Sequence, residues 1–458
     1  MQIHTGTFGP STIESNSLAA NLLKFPEIQS KITELYPQYS LNYLMHKLNR
    51  YAKTVEIGDN SYRWPVMGRK TDPSVVDIGF VGATGVGSGF GTFNVDFDPS
   101  RRYCNKYDVV KLPDGQNAWV VDVNGSTVTF ALQTSDPLAT TDTTALSGLT
   151  IGKIGSMYPE GSKDSFGNVK YPDWHQNHLT IQRENFDITG DALTDILWVE
   201  NNGQKLWFFK GEKDWMDEIY YRNEVFGWYN NSTMDVNGNP TQFDLLGGGK
   251  PIIAGDGIEA QIYPGNIDTY TGTLVEEQIL EYATMLLYNC GSPKPTYLVL
   301  GGRAAQLAWT KAMRDYYIQA GAVVWNGSKS MEIGGSFHTY HALDATFILA
   351  HNPIQDDPNI WGNDMVNIGF GAYPRKSFDM YFLDISMMGQ DSNLEYIVKS
   401  AGGINRSHVV KYIPGMVNPF DPKSVLAATK DDRFSIEYLC QTGWVLRNQQ
   451  SCGMLQYA

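Results

Sequence analysis

The first hydrophobic pattern along the chain is short and narrow. Residues 11–53 form brief helical pieces that are interrupted by Pro26 and Pro37. Within them the helical i, i+3, i+4, i+7 spacing is followed by Leu41, Leu44, Met45 and Leu48. A stripe this narrow is typical of a segment that packs against another surface. We therefore predict an N-terminal arm over residues 1–54.

From Val55 to about Ile188 the pattern changes to that of β-strands. Two runs rich in β-branched residues, 118–123 and 126–132, flank Asn124-Gly125. Asn-Gly between such runs is the strongest short hairpin signal, because both residues tolerate positive φ. With further strands at 107–112 and 149–154, the pattern predicts a small barrel of about five strands over residues 103–158.

The stretches on either side of this barrel have weaker pairing signals. Residues 63–66, which include Pro65, read as an edge strand, because proline cannot donate to a central ladder. A further strand is predicted at 178–183. We expect residues 55–102 and 159–193 to depend on a neighbouring subunit for their order. Deleting 103–158 should accordingly still permit assembly, at lower stability, whereas deleting 55–193 should prevent it.

Helical patterns follow in the second half of the chain. A long helix is predicted over residues 203–229, with Phe208, Trp215, Ile219 and Phe226 on one face. A capping box at Thr273 opens a second helix, whose core stripe is Ile279, Tyr282, Ala283, Leu286 and Leu287. A third helix, ended by Gly321, places on one face Ala305, Ala308, Trp309, Ala312, Met313 and Tyr316. Strands are predicted at 297–300, 322–325, 346–349, 380–383, 409–413 and 434–439. The fold class is therefore α+β.

The length and the charge of the chain limit the classes of function that it can have. A chain of 458 residues suggests about three domains. It carries 35 Lys and Arg against 49 Asp and Glu, a net charge of −14. An acidic chain repels a phosphate backbone unless its basic residues are segregated, and the first 54 residues do not segregate them. Contact with DNA should be non-specific and weak.

The four cysteines are Cys104, Cys290, Cys440 and Cys452, and they form no CxxC pair. Structural zinc and redox dithiols need closer spacing, so free thiols in a reducing compartment are predicted. No signal peptide is visible, and no run of about eighteen apolar residues indicates a membrane span. We also expect no N-terminal scaffolding segment.

Motifs for catalysis or for cofactors are missing from the sequence. The glycine-rich stretch 82–91 lacks the Lys-Ser/Thr of a phosphate loop and gives no G-x-G-x-x-G in any register. We interpret it as a loop against another backbone. The chain has neither G-x-S-x-G nor H-E-x-x-H. We therefore predict no catalytic residues, no cofactor-binding residues and no metal ligands, and hence no enzyme.

Four groups of residues are weaker candidates for chemistry. They are His338 and His341 with Asp344 and His351, then His175 with His178, then 235–239, and then the pairs Asp356-Asp357 and Asp431-Asp432. On a strand, residues i and i+3 point to opposite faces, which argues against the histidine pairs as metal ligands. Residues 235–239 imitate a calcium loop, but Pro240 replaces the turn glycine and Leu246 the bidentate Glu. The adjacent aspartates are interpreted as solvated loop charge.

Aromatic residues are unusually abundant, with 11 Trp, 26 Tyr and 20 Phe. Such side chains supply rigid contact area at interfaces, but they also fill cores and line sugar-binding clefts. An interface between subunits is the favoured interpretation, and the other two remain open.

The order of these elements resembles that of tailed-phage major capsid proteins, which share the Hong Kong 97-type fold. Residues 186–193 look like the end of its extended loop, and 203–229 are similar to its spine helix. The chain end resembles the closing strands of the peripheral domain. The residues that carry this resemblance are Arg433-Phe434-Ser435-Ile436, 442–448 and 452–455. The general character is similar to that of crAss-like phages. The β unit at 103–158 is an addition to the family pattern.

The resemblance implies a division of the whole chain. Its parts are an N-terminal arm at 1–54, an outgoing extended loop at 55–102, an inserted β domain at 103–158, a returning loop at 159–200, a peripheral domain with the spine helix at 201–295, an axial domain at 296–400 and closing peripheral strands at 401–458.

The function implied by the resemblance is self-assembly. Hexamers and pentamers would form the icosahedral head in the virion, after assembly in the host cytoplasm. Further implied partners are portal, head-decoration and auxiliary capsid proteins, with no membrane. Two alternatives stay open, another phage assembly component (a tail or head-completion protein) and a carbohydrate-acting enzyme with paired carboxylates.

Overall fold

The structure is a computed structural model that describes residues 53–68, 72–162, 171–194, 196–201, 204–235, 237–319, 339–368, 371–388, 391–421, 423 and 427–458. The predicted arm (apart from residues 53 and 54), the predicted strand 322–325, Gly321 and His338 lie outside these ranges. The chain divides into a barrel unit, Pro65–Trp174, and a main unit formed by the residues before and after it.

The barrel unit contains a six-stranded antiparallel sheet. Its strands, in spatial order, are Ser74–Val75, Thr150–Ser156, Asp108–Lys111, Asn117–Asn124, Thr127–Leu132 and Thr92–Asp96. The two outer strands meet at a bridge between Val76 and Phe97. Next to it, Asp98 N–H donates to the Val75 carbonyl at 2.9 Å. This contact joins the two outer strands and closes the sheet into a small barrel.

The predicted hairpin is present, with Asn124 opposite Thr127 and positive φ at Gly125. The unit is nevertheless larger than the predicted 103–158. Strands 74–75 and 92–96 of the predicted outgoing loop complete the barrel, and their side chains Phe93 and Val95 are buried in its core. The short local signals missed them because strands 74–75 and 92–96 pair with residues far along the chain, not with each other through a tight turn.

The first sheet of the main unit is built around one long strand, Arg433–Leu446. Its other strands are Lys53–Ile57, Leu394–Ala401, Thr180–Thr189, Ile404–Asn405 and Val409–Pro414. Residues 180–189 pair with 433–442 over ten positions. The predicted returning loop 159–200 therefore runs into this sheet, and the predicted outgoing loop begins in it, because 53–57 pairs in parallel with 395–399.

The second sheet lies further along the main unit and is also six-stranded. Its strands, in spatial order, are Ile267–Tyr270, Gly453–Tyr457, Met380–Asp384, Thr296–Gly301, Ala345–His351 and Thr339–Ala342. The predicted closing strands 401–458 are thus divided between the two sheets. The reason is that 453–457 pairs in parallel with 267–270 and antiparallel with 380–382.

The described helices are Gly190–Leu193, Trp207–Tyr229, Ile258–Gln261, Glu276–Tyr288, Arg303–Gln319 and Pro358–Trp361. Short 3-10 turns lie at Ser88–Phe90, Pro264–Asn266, Pro353–Asp356, Arg375–Phe378 and Gln449–Ser451. The long helix begins at Trp207 rather than 203, because Gln204–Leu206 pairs with Ile196–Asn201. The second helix begins after Val275, whose N–H donates to Gln278 Oε1 at 3.3 Å, so the predicted capping box at Thr273 is wrong.

Three further pairs of strands complete the description, Ser61–Val66 with Asp173–His178, Met365–Asn367 with Ala372–Pro374, and Met387–Met388 with Asp391–Ser392. The first pair confirms the edge strand predicted at 63–66. The chain leaves the main unit along Ser61–Val66 and returns along Asp173–His178.

In the second sheet, the central strand Thr296–Gly301 is buried on both faces. Tyr297 and Val299 lie in a core with the helices Glu276–Tyr288 and Arg303–Gln319. The alternate residues Leu298 and Leu300 lie in a second core, with Trp228 and Trp444. A strand buried on both faces reads as a continuous apolar run, as residues 297–300 do. The mixed sheets with helices confirm the α+β class.

Candidate assembly surfaces

The long helix Trp207–Tyr229 is fixed to the first sheet. Ile219 packs on Tyr438 and Cys440, with Trp215 beside them. Asn223 Nδ2 donates to the Tyr438 hydroxyl at 2.7 Å, and Arg222 pairs with Glu184 at 3.0 Å. The predicted apolar face is therefore correct for Trp215 and Ile219. Trp228, which was not predicted as a core residue, is fully buried at the second-last position of the helix.

The C-terminal end of this helix approaches its surroundings too closely for side chains. A Cβ at Gly227 would lie 2.7 Å from Trp444 Nε1, and one at Gly257 would lie 2.6 Å from the Trp228 carbonyl oxygen. Distances below 3.0 Å require a neighbour to move. The helix and the segment that follows it therefore form one tightly packed body.

A largely buried charge cluster stabilises the two neighbouring strands Gly453–Tyr457 and Met380–Asp384 of the second sheet. Lys376 Nζ lies 3.1 Å from Glu259 and 3.2 Å from Asp379, and the Tyr381 hydroxyl donates to Glu259. Burial raises the pKa of the Asp379 carboxyl, and the Lys376 ammonium opposes this shift. The Tyr457 N–H donates to Asp379 at 3.0 Å. The carboxylates of Glu259 and Asp379 thus bind Lys376, and Asp379 also binds the strand Gly453–Tyr457. The role of the two carboxylates is structural.

The pair Asp356-Asp357 is not solvated loop charge as predicted. The Asp356 carboxylate accepts from the Arg303 N–H at 3.0 Å and from Ser377 Oγ, and it lies 2.6 Å from His351 Nε2. Asp357 accepts from the Tyr221 hydroxyl and, at 2.8 Å, from the Asn359 N–H. Asp356 therefore caps the helix that begins at Arg303. The sequence hid this role, because the capped helix begins far from Asp356 along the chain.

The side chains of the other candidates for chemistry already contact groups within the protein. His341 Nδ1 lies 3.0 Å from Thr346 Oγ1, His175 stacks on Trp64, and Asp235 accepts from the N–H groups of Asn237 and Asn239 at 2.9 and 2.7 Å. Within the described ranges, no three His, Cys, Asp or Glu residues form a metal-binding group.

The glycine-rich stretch 82–91 is a loop against another backbone, as predicted. A Cβ at Gly82 would lie 1.9 Å from the Thr143 carbonyl oxygen. Thr143 N–H donates to the Ala83 carbonyl at 3.0 Å, and Ala83 N–H donates to Thr143 Oγ1 at 2.9 Å. The glycine permits this close approach of two chain segments.

All four cysteines are free thiols, and Cys104, Cys440 and Cys452 are buried. None of the helices in the described part of the chain has both the length and the apolar character needed to cross a membrane.

Many of the aromatic side chains lie in the cores of the chain itself. The largest fully buried side chains include Trp228, Trp309, Tyr297, Tyr381 and Phe130. Core packing therefore accounts for more of the aromatic content than the sequence analysis assigned to it. The aromatic count alone could not separate a core from an interface.

Large apolar side chains that remain exposed mark the candidate assembly surfaces. In the barrel unit they include Ile78, Val81 and Leu138. In the main unit Leu245 and Leu246 are 91% and 101% exposed. In the sequence, Leu246 drew notice only because it stands where a calcium loop needs a bidentate Glu. The missed signal is an apolar pair between Asp244 and three glycines, a pattern that predicts a turn.

The sequence and the structure were compared with known proteins. The model of a family described as Crassvirus major capsid protein matches residues 1–458. No protein of curated function matches the sequence.

Among solved structures, the chain is similar to the capsid of cyanophage P-SCSP1u, with 7% identity, a TM-score of 0.42 and coverage of 99% of each chain. A second is the SrpI encapsulin complex of Synechococcus elongatus, with 8% identity, a TM-score of 0.37 and coverage of 97% of this chain and 96% of that one. A third is Mycobacterium phage Adephagia, with 10% identity, a TM-score of 0.36 and coverage of 98% and 99%. These TM-scores are too low to establish a shared fold.

Proposed function

Because the chain belongs to the Crassvirus major capsid protein family, we propose that its copies close an icosahedral head shell as hexamers and pentamers. The chain is a major capsid protein of a phage, and the family match over residues 1–458 is the observation that carries this conclusion. Its work is mechanical. Each contact between copies buries apolar area, and many such contacts add up to a shell that encloses the genome.

We further propose that the fold is of the Hong Kong 97 type. The long helix Trp207–Tyr229, fixed on the first sheet, supports a spine helix in a peripheral domain. The second sheet with helices Glu276–Tyr288 and Arg303–Gln319 supports an axial domain. The barrel unit would then be inserted in the extended loop, since the chain leaves and re-enters the main unit along two paired strands.

The proposed partners follow from this role. Other copies of the chain are the main ones, and portal, head-decoration and auxiliary capsid proteins are further candidates. A net charge of −14 favours a container that does not adhere to its packaged DNA. The protein would be assembled in the host cytoplasm and remain in the virion. A structural family role agrees with the expectation that the chain is not an enzyme.

Expression of the chain alone, followed by light scattering and negative-stain microscopy, tests this function. We expect closed particles or capsomer-sized rings. Open tubes would instead favour a tail component. A stable monomer at high concentration that turned over a glycan would contradict the capsid role and favour the carbohydrate-acting alternative.

A further inference from the structure

We propose that Leu245 and Leu246 form an apolar contact through which one copy of the chain binds a second copy in the shell. This inference rests on the proposed function, because it takes the second copy as the partner. The two leucines lie in a turn, residues 244–250, which we name the leucine turn.

The leucine turn is held rigidly by hydrogen bonds. Asp244 N–H donates to the Lys250 carbonyl, and Gly249 N–H donates to the Asp244 carbonyl, both at 2.8 Å. The Asp244 carboxylate accepts from the N–H groups of Leu246 and Gly247 at 3.1 and 2.7 Å. Gly248 and Gly249 have φ values of 94° and 70°, which favour glycine. The backbone that carries the two leucines is therefore held in one conformation, which reduces the backbone entropy lost on contact.

The base of the turn is anchored to the end of the long helix. Thr233 N–H donates to the Ala254 carbonyl at 3.1 Å, and the Thr233 hydroxyl donates to the Ile252 carbonyl at 2.7 Å. Asn230 Nδ2 donates to the Gly255 carbonyl at 2.6 Å, and the Gly257 N–H donates to the Asn230 carbonyl at 2.8 Å. A load on the leucine turn would thus be transmitted directly to the helix.

The large apolar side chains in and next to the leucine turn do not pack into any core of the described residues. Phe243, Leu245, Leu246 and Ile252 are all exposed, and they belong to none of the hydrophobic clusters found among the described residues. An exposed apolar group of this kind on a soluble protein marks a contact with another molecule.

The charge around the turn is suited to a contact within a symmetric shell. Asp244 and Lys250 are the ionisable residues of 240–254, one of each sign. The Asp244 carboxylate already accepts from two backbone N–H groups, so it keeps these hydrogen bonds when the leucines are buried. A second copy is the partner that a capsid protein meets at the highest local concentration, at every equivalent position.

The double variant L245S/L246S tests the contact. We expect it to raise the concentration at which shells form by about tenfold or more, because two leucines lose the burial they gain on assembly. The thermal unfolding of the unassembled subunit should stay as in the parent, since both residues are exposed in it. The matched control is Q242S, an exposed position in the same segment without an apolar side chain, which should assemble as the parent does.

Replacing Leu246 with photo-reactive p-benzoylphenylalanine identifies the partner in assembled shells. We expect a covalent dimer of the chain, with the cross-link between residue 246 and another copy. Cross-links confined to one chain, or to a different protein, would overturn the proposal, as would assembly of L245S/L246S at the parent's concentration. Failure of the parent chain to assemble would overturn the proposed function together with this contact. Failure of the contact alone would leave the parent chain assembling normally, so the two results are distinguishable.

Discussion

At the scale of single residues, the burial of His178 should make the stability of the main unit depend on pH. The His178 side chain is buried, and Gln176 Nε2 lies 3.2 Å from its Nε2. Burial lowers the pKa of His178 below its ordinary value of 6.5, while Asp256 opposes the shift and Arg63 adds to it. The folded state therefore binds fewer protons than the unfolded state between the two pKa values. The unfolding free energy should rise with pH across that interval.

We predict that the variant H178Q loses part of this pH dependence. Urea unfolding of the unassembled subunit from about pH 7.5 down to about pH 5 should show a smaller fall in unfolding free energy for H178Q than for the parent, by at most ~1.4 kcal/mol per pH unit. The exposed His341 provides the matched control variant, H341Q. Equal slopes for H178Q and the parent would exclude the proposed role of His178.

At the scale of elements, the barrel unit and the main unit have separate cores. Phe130 is fully buried among the barrel side chains, and Phe382 is fully buried between the second sheet and its helices. Removing either ring leaves a cavity in one core only. We expect F130A and F382A each to destabilise its own unit by about 3–5 kcal/mol.

Hydrogen–deuterium exchange distinguishes the two effects. F130A should accelerate exchange in strands 117–124 and 127–132 and leave 380–384 unchanged, and F382A should do the reverse. The two variants are thus controls for each other. Faster exchange in both units from either variant would show that the two cores unfold together.

The elements also show what the sequence could and could not predict. The hairpin around Gly125, the helix Arg303–Gln319 and the strand 296–301 depend on local patterns, and all were predicted. The barrel strands 74–75 and 92–96 were missed because their pairing is decided by distant residues. The role of Asp356 was missed for the same reason, because the helix that it caps begins at Arg303, far away along the chain. The exposure of Leu245 and Leu246 was missed although their local pattern predicts a turn, because the fold decides whether an apolar turn packs into a core.

At the scale of the whole molecule, the barrel unit determines which deletions the chain should tolerate. Its core includes side chains from Val76 to Ile151. Deleting 103–158 would remove four strands and expose the apolar residues of the two that remain, Phe93 and Val95 among them. Trp64 and His175, at the boundaries of the unit, stack with ring centroids 5.9 Å apart. A short linker can therefore join them.

We predict that deleting 65–174, with a short Gly-Ser linker, leaves a soluble and cooperatively folded main unit. Deleting 103–158 should instead cause aggregation, contrary to the expectation from sequence alone. Size-exclusion chromatography and circular dichroism of the two variants measure the difference. A soluble product from the smaller deletion together with an aggregated one from the larger would refute this division of the chain.

The parallel pairing of Lys53–Ile57 with 395–399 has a consequence for synthesis on the ribosome. The Tyr62 hydroxyl also donates to the carbonyl of Trp444 in the first sheet, and this hydrogen bond spans 382 positions. Strand 53–57 must therefore wait for most of the chain to be translated before its partner exists. The barrel unit has no such delay, because all its strands emerge within residues 65–174. It should fold first, beside the ribosome, while the main unit remains incomplete. The subunit would then become competent to assemble only after the long strand 433–446 has emerged.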